Sequence, residues 1–121
     1  MKHKKTGRVF GRVRNQRNAL IKTLLGSLIM HERINTTEAK AKELKNFIDQ
    51  LINKAKTGRK TEARKVAIIR DLRTHIPLMA VKKLMSDFTD RFEGRNSGYV
   101  RVVKMESRKS DGARMAIIEF V

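Results

Sequence analysis

Residues 99–121, YVRVVKMESRKSDGARMAIIEFV, decide the fold class. From Tyr99 to Glu106 the side chains alternate. Tyr99, Arg101, Val103 and Met105 fall on one side, and Val100, Val102 and Lys104 on the other, the period of a β-strand. Ser107 to Ala113 reads as a turn, with Asp111-Gly112 as its tightest element. Arg114 to Val121 is nearly continuous in apolar residues, which predicts a strand that is central in a sheet or buried on both faces. A hairpin alone is marginal in water, so the preceding chain must supply a layer to pack beneath it.

That layer is legible as helices. Gly94 to Gly98 forms a loop before the hairpin. Pro77 fits the first turn of a helix striped by Val81, Leu84, Met85, Phe88 and Phe92. Thr61 to Arg73 predicts another helix, weaker in pattern, with Ala63, Val66, Ala67 and Ile69 or the stem of Arg70 facing inward. A longer helix starts at an N-cap of Thr36 or Thr37, with Glu38 in its first turn, and runs to about Lys56. Ala41, Leu44, Ile48, Leu51, Ile52 and Ala55 line its inner face, and Gly58 is placed to stop it. Arg33 to Thr36 is a short extended piece, available as a third strand. The first helix runs from Asn15 to about His31 or Glu32, striped by Leu20, Ile21, Leu24, Leu25, Leu28 and Ile29. Met30, Met79, Met85, Met105 and Met115 read as core filler. Residues 1–14 show no apolar periodicity and contain Gly7 and Gly11. They read as a basic arm, and residues 15–121 as one α/β (α+β) domain: helices on a small sheet of about three strands with a C-terminal β-hairpin.

The charge balance bounds the function. The chain has 121 residues, with 29 Lys plus Arg against 12 Asp plus Glu, for a formal net charge of +17. Hydrophobic residues make up 40%, too many for a disordered tail, while charged residues reach 34%, above the roughly 25% of an ordinary domain. Self-repulsion of this size destabilises the free protein and points to a polyanionic partner, nucleic acid before an anionic membrane. There is no Cys, hence no disulfide or thiolate metal site. The longest charge-free stretch, Thr23 to His31, is far below the ~20 apolar residues that span a bilayer. The basic opening imitates a mitochondrial presequence but has only Ser27, and Lys22 interrupts its apolar stretch; it is expected to remain in the mature chain.

Two regions carry the binding signal. Residues 1–31 contain Lys2, Lys4, Lys5 and Arg8, then Arg12, Arg14, Arg17 and Lys22, and no acid before Glu32. Cations spaced in this way along a Gly-containing segment can follow a phosphate backbone, each contact releasing counterions. His3, among lysines, reads as a further phosphate contact. The second region is the hairpin. Arg95, Arg101, Lys104 and Arg114 lie on or around it, and Arg108 and Lys109 occupy its turn, shaped to enter an RNA groove or junction. Tyr99 has two readings: stacking on an unpaired base, or packing as an ordinary strand residue. Lys40, Lys42, Lys45, Arg59, Lys60, Arg64 and Lys65 alternate with Glu38, Glu43, Asp49 and Glu62 and read mostly as a solvated, salt-bridged face. His3, His31 and His75 have no metal-ligand spacing, and no nucleophile, phosphate-binding Gly loop or carboxylate pair suggests an enzyme. No cofactor is expected.

The residues also carry a resemblance. Lys2-His3-Lys4-Lys5-Thr6-Gly7-Arg8, Ser27 to Ile34, Thr36 to Leu44, Gly98-Tyr99-Val100-Arg101, Asp111-Gly112-Ala113 and Ile117 to Val121 together resemble ribosomal protein seventeen of the bacterial large subunit. Asn96-Ser97-Gly98 departs from the paired glycines expected before the Tyr, and Gly58 to Leu78 matches poorly. The resemblance implies helices packed on a small mixed sheet. It implies a non-enzymatic cytoplasmic protein that binds large-subunit ribosomal RNA near the outer end of the peptide exit tunnel, beside other large-subunit ribosomal proteins, with no membrane span and no homo-oligomer. The arm and the Gly94–Arg114 region would be the RNA contacts. The rival from another class is a free-standing DNA-binding protein, which would need a recognition helix or a dimer with regular spacing. A basic nuclease is a third option for which no residues are visible.

Overall fold

A computed structural model describes residues 8–121. The arm's Lys2, His3, Lys4 and Lys5 lie outside the described residues. From Arg14 on, the elements are α1 (Arg14–His31), β1 (Arg33–Thr37), α2 (Glu38–Lys60), α3 (Glu62–His75), α4 (Leu78–Leu84), a 3-10 helix (Asp87–Phe92), β2 (Val100–Lys104) and β3 (Met115–Phe120). The helices pack on one face of a three-stranded sheet of order β1-β3-β2.

β3 is the central strand, as its apolar run predicts. Ala116, Ile118 and Phe120 are buried on the helical face, while Met115, Ile117 and Glu119 are half-buried on the other. The sheet is not mixed. β1 enters beside β3 from the opposite end, so Arg33 lies across from Glu119 and Thr37 from Met115, and both ladders are antiparallel.

The turn from α1 into β1 is sharp. Glu32 takes a left-handed conformation (φ 64°) and its N–H donates to Leu28 O at 2.7 Å. A non-glycine there is strained, and the strain is offset by the carboxylate, which binds Lys83 at 3.1 Å and also Arg91. Thr37 caps α2 through its hydroxyl, which accepts from Lys40 N–H. The inner face of α2 is as the pattern predicts: Ala41, Leu44, Ile48, Leu51, Ile52 and Ala55 are all buried.

Gly58 does not stop α2. The helix continues to Lys60, and Gly58 is buried inside it because α3 crosses there; a Cβ would lie 3.0 Å from Ile68 and 3.2 Å from Met85. α3 is rotated from the expected orientation. Ile68 and Ile69 are half-buried and Leu72 is buried, whereas Ala63, Val66, Ala67 and Arg70 face solvent. Met30, Met79 and Met105 are also exposed rather than core. Pro77 precedes α4, whose stripe continues through the 3-10 helix instead of one long helix. There Phe88 and Phe92 meet edge to face at 5.4 Å, and Phe88 meets Phe120 of β3 at 5.1 Å.

The Pro77 ring packs on the middle of α1 against Gly26, where an added Cβ would sit 2.7 Å from Pro77 Cδ. Gly26→Ala would gain about 1 kcal/mol of helix propensity but lose about 1–3 kcal/mol to overpacking. Chemical denaturation of this variant is expected to show a net loss of stability; an increase would contradict the contact.

Candidate nucleic-acid interface

The acids define the interface by where they are spent. Glu119, on the open face of β3, receives Arg101 at 2.8 Å and Arg33 at 3.4 Å from the two flanking strands. Glu38 binds Lys42 at 2.8 Å, with Lys104 at 3.8 Å, and these cations hold its pKa below the ordinary carboxylate value, the Lys42 hydrogen bond leading. Asp71 binds Lys54 at 2.6 Å, and Asp90 binds Arg59. Asp49 accepts from the backbone N–H groups of Gly98 and Tyr99 at 3.3 and 3.4 Å. Glu43 is buried and receives Arg8 at 3.0 Å. Apart from Glu38–Lys42 within α2, these contacts join separate parts of the fold.

Apart from Arg8, the described cations of the arm and α1 stand outside this pattern. Arg8 ties the arm to α2 through Glu43, so it is an anchor as well as a charge. Arg12 donates to Phe10 O at 2.7 Å. Arg14 is exposed, and Arg17 and Lys22 are half-exposed. Among the described residues, no carboxylate pairs with Arg12, Arg14, Arg17 or Lys22. Arg14 and Lys22, eight residues apart, share one helix face.

The hairpin has a paired base and an open tip. At the tip Arg108 grips Asp111 through two bonds of 2.9 and 2.7 Å, and Asp111 also accepts from Ala113 N–H. Lys109 and Arg114 are exposed, with no carboxylate partner among the described residues. Arg95 is exposed and donates to Gly98 O at 3.2 Å.

Tyr99 corrects the stacking reading. It is fully buried, because Asp49 turns the backbone just before β2 and directs the ring inward. The ring meets Phe92 edge to face at 5.3 Å. Its hydroxyl accepts from Lys56 at 2.9 Å and lies within bonding reach of Asn53 and the Arg95 carbonyl. The packing reading of Tyr99 is the one the structure supports.

Arm and hairpin converge on one end of α2. Arg8 meets Glu43, and Lys104 approaches Glu38 five residues earlier, about 7–8 Å along the helix axis at 1.5 Å per residue. Sequence reasoning missed Glu43 as the anchor. Its partner is 35 residues away, so no local spacing marks the pair. No group of His, Cys, Asp and Glu among the described residues is arranged to hold a metal, and no helix among them is long and apolar enough to cross a membrane.

The profile of the family described as ribosomal protein L17 matches residues 20–121. The chain belongs to this family. It is 46% identical to the large ribosomal subunit protein bL17 of Thermodesulfovibrio yellowstonii, over all of this chain and 87% of that protein. It is 41% identical to the bL17 of Hydrogenobaculum sp., over all of this chain and 99% of that one. It is 41% identical to the bL17 of Staphylococcus carnosus, over 94% of this chain and 98% of the relative. L17-family proteins are structural and not enzymes, in line with the sequence reading.

The L17-family hairpin tip yields a pH prediction. The Arg108 hydrogen bonds, with that from Ala113 N–H, lower the Asp111 pKa from 3.8 to about 2. A depressed carboxyl stabilises the fold above its unfolded value and stops doing so as pH falls through its folded value. The tip should therefore stay ordered down to about pH 4 and loosen toward pH 2. NMR titration of the Asp111 carboxyl is expected to give a midpoint near 2; a midpoint near 3.8 would contradict the pairing.

Proposed function

We propose that this chain is a structural constituent of the large ribosomal subunit that binds and stabilises large-subunit ribosomal RNA. In this reading the arm and α1 follow one stretch of phosphate backbone, and the hairpin tip enters an adjacent groove or junction. The protein works in the cytoplasm within the ribosome, near the outer end of the exit tunnel and beside other large-subunit proteins. The finer placement rests on the family likeness.

One observation carries the reading. The fold commits most of its acids to internal contacts, yet Arg12, Arg14, Arg17, Lys22, Lys109 and Arg114 have no carboxylate partner among the described residues. Such cations can replace the counterions condensed on RNA phosphates, and the release of those counterions drives binding. Phosphate contacts position a protein without reading sequence, so this chemistry suits a protein that secures a folded RNA.

If about eight phosphates are engaged, log affinity against log salt should have a slope of about −6 to −7. Changing Arg12, Arg14, Arg17 and Lys22 together to Gln should make that slope shallower by about three to four. Filter binding to large-subunit RNA over a salt series checks both values. A wild-type slope shallower than about −2 would end the electrostatic account. Equal affinity for duplex DNA would favour the DNA-binding rival, and persistent RNA hydrolysis by the purified chain would favour the nuclease.

A further inference from the structure

α3 has two sides with opposite fates. Ile68, Ile69 and Leu72 pack toward α2 and the core. On the other side Val66 is 60% exposed, beside exposed Ala63 and Ala67, and Arg70 lies on the same face one to two turns on. Arg64 and Arg73 flank that face, one on each edge. All three arginines are exposed.

Their charge is uncompensated. Asp71, in the same helix, is taken by Lys54 at 2.6 Å and faces His75. No carboxylate pairs with Arg64, Arg70 or Arg73 among the described residues, although Arg59, just before them, is paired with Asp90. The expected salt-bridged face is therefore absent here, and an exposed apolar strip runs between unpaired guanidinium groups. Arginine forks match phosphate oxygens, and a low apolar strip between them lets a sugar-phosphate backbone approach the helix. Charge complementarity thus selects a polyanion as the occupant.

Position makes this a separate surface. The arm is held at Glu43 of α2 through Arg8, and α3 crosses α2 at Gly58. Fifteen helical residues separate the two points, about 22 Å along the axis. We propose that the outward face of α3 is a docking surface for ribosomal RNA phosphate separate from the end of α2 where arm and hairpin meet, so that α2 acts as a strut between two RNA segments. This rests on the RNA-binding reading above and adds a site to it.

Hydroxyl-radical footprinting of the full chain on large-subunit RNA tests it, with four proteins compared. Wild type should protect one RNA segment at α3 and another shared by the arm and the hairpin tip. The variant with Arg64→Gln, Arg70→Gln and Arg73→Gln should lose one segment, keep the other and bind with a salt slope shallower by about three. The arm variant, with Arg12, Arg14, Arg17 and Lys22 changed to Gln, should lose the other segment. Ala67→Glu, which keeps every arginine, should lose the same segment as the α3 triple variant, and this holds the test open if the triple variant folds poorly. An unchanged footprint and slope for both α3 variants, with loss in the arm variant, would overturn the second surface alone. An unchanged footprint in all variants would overturn the arm assignment with it, and no protection of the RNA by wild type would overturn the RNA-binding reading itself. Cross-links from α3 to a protein of the assembled subunit, and none to RNA, would overturn the proposal in favour of a protein neighbour.

Discussion

Burial of α2 must outweigh the mutual repulsion of a +17 chain. One side of this helix, from Ala41 to Ala55, is buried against the sheet and the other helices, with Ala116, Ile118 and Phe120 in the same core. Each fully buried Leu or Ile contributes about 1.5–3 kcal/mol, whereas an exposed ion pair contributes about 0–1 kcal/mol. The core therefore holds the fold, and the ion pairs orient its parts. This division allows the surface to remain so unbalanced.

The acids sit where elements must be joined. Glu32 secures the strained exit from α1 to α4 and to the 3-10 helix after it. Glu119 draws both edge strands to the central one. Glu43 pins the arm, Asp49 sets the entry to β2, and Asp111 closes the hairpin tip. Cations beyond these joints have no internal role to satisfy. They include those of the arm, α1, the hairpin tip and α3, and it is this remainder that a ribosomal RNA would neutralise. Structure and function are linked through one inventory: acids consumed by the fold leave cations available to the partner.

The strong periods were readable from sequence. The α2 stripe, the α1 stripe and the central position of β3 follow from side-chain pattern, and of the two threonines offered as the α2 cap the structure uses Thr37. The failures share a cause, which is contact between residues far apart in sequence. Gly58 resembles a helix stop because a local reading cannot know that Ile68 crosses there. α3 carries apolar residues on two faces, and only its packing against α2 decides which turns inward. Tyr99 is directed into the core by Asp49, fifty residues earlier. The basic regions were legible by composition, but the anchoring of Arg8 and the lack of partners for the α3 arginines were not, because both depend on where distant carboxylates end up.

The central claim is that fixed cations on a compact fold repel one another until a polyanion arrives. The most direct measurement is the thermal unfolding midpoint of the isolated chain as sodium chloride is raised. Screening should relieve the net repulsion faster than it weakens the exposed pairs, so the account predicts that the midpoint rises with salt. A midpoint that falls steadily as salt is added would mean that attraction already dominates the free protein, and would contradict the account.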